Sequence, residues 1–493
     1  MQPSTEAPVE IYFTDFFKVT PEVLEEYGAF NISLINDLPL FIDPFLLFNS
    51  EKEEYQRLHE QIIRYVRFLR DKSVAGGLDE GLLTSWFMFS EVKQNWLGFS
   101  ESGNAGSGLG REFAHALNSN LNEFFTDFGR ESVTEGSHLE KLTLIESGVG
   151  RDNVSDFTTN LIKRYLLDYT QAFAQQHIRS EFRRHVAVEK VQFNYTTQVW
   201  ESRSFDLPWD GEDYVLLTPK DILTKDENWI NRKGLIQRYN DIVESVSDGQ
   251  LRAQINNYFS SILPEDYSPK EEQEARGNVI QRFPELIEYY IRYKEEHGEE
   301  AEAYSDRKVA ESEQLYINQV RNFVRDLLAS TRFYEKTGNT HEEARRRVMF
   351  LKDVIEKKGG HRLFYADGKP IRREKDLQLL FRLTWFASPS DVSSEVNDGR
   401  GPVDFKISRG SIDKSLVEFK LASNTQLQRN LENQVEIYKA ASDTPNALKV
   451  ILFFTQEQQA KVSGILRQLG LDKNQDIVLI DGRADNKPSG SKA

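Results

Sequence analysis

Val403-Asp404-Phe405-Lys406-Ile407-Ser408 and, after the turn Arg409-Gly410-Ser411, Ser415-Leu416-Val417-Glu418-Phe419-Lys420-Leu421 are the runs on which the reading of this chain turns. Both alternate apolar and polar residues with a period of two, the pattern of strands with one face in a core. In the second run Val417, Phe419 and Leu421 fall on one face, and Glu418 and Lys420 share the other. The short connection makes the two runs neighbours, which lets Asp404 approach Glu418. Two carboxylates and a backbone carbonyl are the oxygen-rich surroundings that Mg²⁺ prefers. An ammonium held beside them suits phosphodiester hydrolysis, where it orients water or offsets developing negative charge.

The flanking sequence builds a module around these strands. Gly399-Arg400-Gly401-Pro402 reads as the turn that feeds the first of them, and Lys375-Asp376-Leu377-Gln378-Leu379-Leu380-Phe381 reads as a helix beginning at Glu374. Downstream, Lys449–Phe454 and Asp476–Ile480 read as further core strands around a helix from Gln456 to Leu469. Together these predict an α/β sandwich over residues 361–485. In Gln434-Val435-Glu436-Ile437-Tyr438 the Gln and Tyr stand four apart and share a helical face.

Asp404 followed by Glu418-Phe419-Lys420 on consecutive strands, with Gln434 and Tyr438 on the next helix, resembles the PD-(D/E)XK nucleases, in particular their RecB-like branch with a Gln-x-x-x-Tyr element. Val403, rather than proline, precedes Asp404, a variation that the family tolerates. The resemblance implies a restriction-endonuclease-like fold for this third of the chain. It also implies Asp404 and Glu418 as ligands for Mg²⁺ or Mn²⁺, a catalytic Lys420, and Gln434 and Tyr438 near the nucleic acid. The family adds an upstream carboxylate; Glu395, close before the Gly399 turn, and Glu374 both compete for that place.

Ahead of this module the chain reads as a helix-rich, mixed α/β domain over residues 1–265. Apolar residues recur at three- and four-residue spacing over Glu51–Leu69 and Asn153–Arg183, which predicts amphipathic helices. Leu38–Pro44 reads as short strands or loops entering a core, and Tyr214–Thr218 as a buried strand turning out at Pro219-Lys220-Asp221. Pro264–Gly277 reads as a linker. Charged helices to about residue 360 read as a connector, and residues 486–493 as a disordered tail. Two polar stretches invite a site and yield none. Gly103–Gly110 lacks the Gly-Lys-Ser/Thr ending of a phosphate loop and reads as a plain loop. In Gly148–Asp156, Asn153 or Ser155 reads as a helix cap.

Composition bounds the chemistry. The chain has 493 residues, 39% hydrophobic and 12% aromatic, enough for more than one core. It has no Cys and 8 His, which leaves little material for zinc and none for disulfides or thiolates, and suits a reducing, cytoplasmic setting. No basic-then-apolar leader and no bilayer-length apolar run is seen, so neither export nor a membrane partner is expected. The net charge of -16 argues against a nucleic-acid partner, but its distribution is uneven. From His341 onward about 26 Lys and Arg face about 21 Asp and Glu, so the basic balance sits with the C-terminal module.

These readings converge on a metal-dependent endonuclease acting on DNA, with RNA as the other candidate. An acidic N-terminal domain would sense, regulate or oligomerise, by self-association or by binding an activating partner. That layout is similar to bacterial restriction and antiviral-defence proteins. The competing expectation is a catalytically silent platform that keeps the fold and binds nucleic acid or protein. A third is an acidic body that blocks the nuclease channel by mimicking phosphate charge.

Overall fold

The computed structural model describes residues 11–34, 37–98, 109–144, 151–225, 227–264, 266–321, 338–357, 361, 364–366, 369–370, 377–378, 381, 385, 390–397, 402–410, 412–432 and 446–487. The chain divides into two compact units, one of Glu10–Ser100 and Asn104–Ala310, the other from Glu311 onward. The first is mostly helical and the second holds the larger sheet. Among the described residues, no helix is long and apolar enough to cross a membrane.

In the first unit, Leu40-Phe41-Ile42 forms strand β1. Helix α1, Glu53–Ala75, follows, burying Tyr55, Leu58, Ile62, Tyr65, Val66 and Leu69 along one stripe, which is why it packs as an amphipathic helix. The periodic stretch from Asn153 becomes two helices, α2 (Arg151–Leu161) and α3 (Lys163–His177), parted at Ile162. Sequence periodicity runs through the break because both helices bury apolar residues at the same spacing. The expected helix also ends early, since Arg183–Asn194 is strand β2, paired as a long hairpin with β3, Val199–Pro208. Asn153 and Ser155 lie inside α2 rather than at its cap; Ser155 is buried and its hydroxyl accepts the Ile42 N–H at 3.0 Å.

Tyr214–Thr218 is buried as expected, with Val215, Leu216 and Leu217 fully enclosed, but it is not a strand of a sheet. Its backbone bonds scatter: Val215 N–H goes to Pro208 O, Leu216 N–H to Gln94 O, and Leu217 N–H to the Thr170 hydroxyl. An apolar run can thus be core without belonging to a ladder, provided every buried N–H finds an acceptor. Strand β4, Leu223–Lys225, comes just after it and pairs antiparallel with β1.

The expected linker is largely helix. Helix α4, Pro269–Arg282, starts on a capping box: Ser268 accepts the Glu271 N–H at 3.3 Å, and Glu271 takes the Ser268 N–H at 2.8 Å. Ser-x-x-Glu with proline at the first helical position is a helix start, and its polar composition is what made it read as a linker. The helices expected as a connector are shared between the units. Those up to Ala310 belong to the first, and α5, Thr340–Lys357, packs in the second.

The second unit is a five-stranded mixed sheet of β5 (Asp391–Asn397), β6 (Pro402–Arg409), β7 (Asp413–Leu421), β8 (Ala447–Phe453) and β9 (Ile477–Asp481), in the order β9-β8-β7-β6-β5. The β5-β6-β7 part is antiparallel and β7-β8-β9 is parallel, so β7 is where the sheet changes sense. Gly410, at φ +70°, makes the tight β6–β7 turn in a conformation that a Cβ disfavours. On one face lie Phe405 and Phe419, whose rings meet Phe381 at 5.1 and 4.9 Å. Helix α5 docks on this face, with Thr340 Oγ1 2.7 Å from Ser415 Oγ. Its buried Glu343 binds Arg347 and Arg409 and accepts the Ser390 hydroxyl at 2.7 Å. On the other face, Ile451 and Phe453 pack with helix α6, Gln456–Gln468, through Val462, Ile465 and Leu466. Helical residues 427–432 add Leu427 and Leu431 to that cluster. A sheet covered on both faces buries β8 almost completely, as its apolar run requires.

Candidate active site on strands β6 to β8

Strand register assembles the site. The β6–β7 ladder runs from Arg409–Asp413 to Phe405–Val417 and ends there, although β6 continues to Pro402 and β7 to Leu421. Beyond that pair the strands part, and the Phe419 N–H donates instead to Asp404 Oδ2 at 2.6 Å. The side chain thereby satisfies a backbone donor that the ladder has released. Asp404 is brought to the Glu418-Phe419-Lys420 run, and Lys420 Nζ lies 3.4 Å from Glu418 Oε1. The parallel register with β8 sets Lys449 opposite Glu418 and Ile451 opposite Lys420.

Glu418 therefore stands beside the apolar cluster under α6 and is only 5% exposed. Burial pushes its carboxyl up to about 7 from an ordinary 4.5, against Lys420 and Lys449, which pull it down, and with Asp404, which pushes it further up. A buried acid that senses a second carboxylate and two ammonium groups is a concentrated charge cluster, of the kind that recurs at reactive sites. The Lys449 ammonium also donates to Leu431 O at 2.6 Å, tying residues 427–432 above the strands.

Of the residues singled out in the sequence, Asp404, Glu418 and Lys420 come together. Position 395 on β5 lies between Ser394, opposite Phe405, and Val396, opposite Val403, so its backbone faces Asp404 in register. The Glu395 side chain lies outside the described residues, as do Glu374, Gln434 and Tyr438 altogether. Lys449 was read only as the start of a core strand. The polar residue opening an otherwise apolar run was the available signal, but its alignment with Glu418 depends on the parallel register. Among the described residues no three His, Asp or Glu side chains gather as a cation site; Asp404 is near enough to Glu418 for its charge to be felt there. Their chemistry fits a hard divalent cation, because both are carboxylates and the Asp404 charge raises the cost of ionising Glu418.

His138, Glu295 and Asp43, their side chains buried in the first unit, have structural partners. Glu295 accepts His138 Nε2 at 2.8 Å and the N–H groups of Glu135 and Gly136 at 2.9 and 3.0 Å. Asp43 accepts the N–H groups of Phe45 and Trp229 at 3.1 and 2.7 Å. Burial, with His138 nearby, holds His59 down to about 3, so it is neutral.

Two family models match the chain. Residues 18–231 match a domain of unknown function, DUF8370, and residues 315–456 match another, DUF8371. The first match lies within the helix-rich unit, and the second spans β5 to β8 with Asp404, Glu418, Lys420 and Lys449. No curated protein and no solved structure matches.

Proposed function

We propose that the C-terminal unit is a metal-dependent nuclease of the PD-(D/E)XK type, hydrolysing phosphodiester bonds with Asp404, Glu418 and Lys420. The observation that carries this reading is the Asp404 carboxylate seated on the Phe419 N–H, between Glu418 and Lys420, where β6 and β7 part. A carboxylate pair and an ammonium lie together where the β6–β7 ladder ends, the side-chain chemistry that a divalent cation and a phosphate call for. Asp404 and Glu418 would hold a divalent cation such as Mg²⁺ or Mn²⁺, which when bound supplies Lewis acidity and lowers the pKa of water.

The chain's own groups have separable roles. Asp404 is oriented by its bond to the Phe419 N–H, so it meets a ligand without first paying for ordering. Glu418 is ionised only above about pH 7 unless positive charge is added, which makes its cation affinity pH-dependent. The Lys420 ammonium orients the attacking water and offsets the charge that builds on the non-bridging oxygens as the P–O bond to the leaving oxygen breaks. Lys449 adds positive potential from the next strand.

The test is cleavage of linear, circular and single-stranded DNA and of RNA in Mg²⁺, Mn²⁺ and EDTA, beside Asp404→Ala and Lys420→Ala. Metal-dependent cleavage lost in both variants supports the proposal and reveals the substrate. A folded wild-type protein that neither cleaves nor binds metal would overturn it and favour the silent binding platform.

A further inference from the structure

The helix-rich unit contains a cavity of about 440 Å³ bounded by α1, α3 and the β2–β3 hairpin. It is of a size that takes a small ligand. Its walls combine two chemistries. Arg57 and Arg64 of α1 and Arg164 of α3 line it, and so do the rings of Tyr165, Tyr195 and Trp200. Arg64 lies over Tyr195, its guanidinium carbon 4.0 Å from the ring centroid, and among the described residues it has no carboxylate partner. Arg164 is held by Gln192 Oε1 at 2.6 Å, with Asp168 at 3.6 Å.

Three guanidinium groups around one hollow are unexpected on the acidic part of the chain. Arg57 is paired with Glu53 at 3.3 Å and Arg164 with Asp168 at 3.6 Å, which leaves Arg64 as the guanidinium of this lining without a carboxylate partner among the described residues. Guanidinium forks match phosphate oxygens, and an arginine already stacked on tyrosine gives up little freedom on binding. Tyrosine and tryptophan faces beside such cations are what a nucleobase stacks on. We infer that this cavity binds a nucleoside phosphate, its base against the aromatic wall and its phosphate on Arg57, Arg64 and Arg164. Arg64 also lines a second cavity, of about 830 Å³, on the other side of α1 with Arg67, so the same chemistry could be presented by a free nucleotide or by the end of a single strand. This inference does not depend on the nuclease reading.

The test uses the full chain carrying Asp404→Ala, in EDTA, so that neither metal nor cleavage at the C-terminal site contributes. Binding of ATP, of a ten-residue oligothymidylate, of adenosine and of inorganic phosphate is measured by titration calorimetry. The inference expects ATP or the oligonucleotide to bind at least tenfold more tightly than adenosine or phosphate. It also expects Arg64→Ala and Arg164→Gln each to weaken that binding tenfold or more with unchanged melting temperature. Tighter ATP identifies a free nucleotide as the ligand, and tighter oligonucleotide identifies a strand end. Binding of neither ATP nor the oligonucleotide, or an affinity unchanged from the parent chain in both arginine variants, would overturn the inference.

Discussion

Replacing Glu418 by Gln separates the stability of the fold from the proposed chemistry. Glu418 ionises near pH 7 in the folded chain against an ordinary 4.5, first because it is buried. Below pH 4.5 the group is protonated whether the chain is folded or not, and it costs nothing. As pH rises from 4.5 to about 7 the unfolded chain ionises first, so stability is progressively lost. At about 1.4 kcal/mol for each pH unit, the whole loss is about 3 kcal/mol by pH 8. Glu418→Gln keeps the shape and an acceptor for Lys420 but cannot ionise. Its stability relative to wild type should therefore improve by about 3 kcal/mol between pH 4.5 and pH 8 in EDTA, read by urea denaturation at both pH values. Adding Mg²⁺ or Mn²⁺ at pH 8 should return stability to wild type and leave the Gln variant unchanged, because a cation that binds only the folded state stabilises it by mass action. A variant whose stability relative to wild type is the same at both pH values would refute the account of Glu418 as a buried acid forced to ionise. Equal metal stabilisation of both proteins would remove Glu418 from the proposed cation site.

Lys420→Ala should lower cleavage about 100-fold or more while Mn²⁺ binding survives at raised pH, since the ammonium acts on charge at phosphate and pulls the Glu418 carboxyl down; calorimetry beside a cleavage assay checks the split. Glu343→Ala leaves buried Arg347 and half-buried Arg409 without their shared carboxylate and should cost about 3–5 kcal/mol in denaturant unfolding of the C-terminal unit. Gly410→Ala places a Cβ at φ +70° and should cost about 1 kcal/mol, with the β6–β7 turn losing amide-exchange protection first. Ser268→Ala removes the α4 capping box and should cost about 1 kcal/mol, seen as a lower melting temperature of the helix-rich unit.

The C-terminal sheet was legible because its signals are local. Alternation over Val403–Ser408 and Ser415–Leu421 marked two strands and paired Glu418 with Lys420 on one face, and apolar runs marked β8 and β9. In the first unit the same reasoning found α1 and met its limits elsewhere. Periodicity could not show the break at Ile162, polarity disguised the α4 capping box as a linker, and an apolar run at Tyr214–Thr218 looked like a strand while its N–H groups went to separate partners.

By itself the sequence determined which residue types were available and which of them shared a face: one acid on the first strand, an acid and a lysine on the second, and no cysteine or histidine cluster to compete. Tertiary structure alone decided that the β6–β7 ladder stops at Phe405–Val417, that Asp404 then takes the Phe419 N–H, and that Lys449 lies opposite Glu418. It also decided that Glu418 is buried enough to ionise near pH 7, and that three arginines of two helices share a cavity with the rings of a hairpin. Period-two and period-3.6 patterns are properties of consecutive residues. Register between strands, the depth of a carboxyl in a core and the convergence of distant helices depend on packing across the fold, which no local pattern encodes.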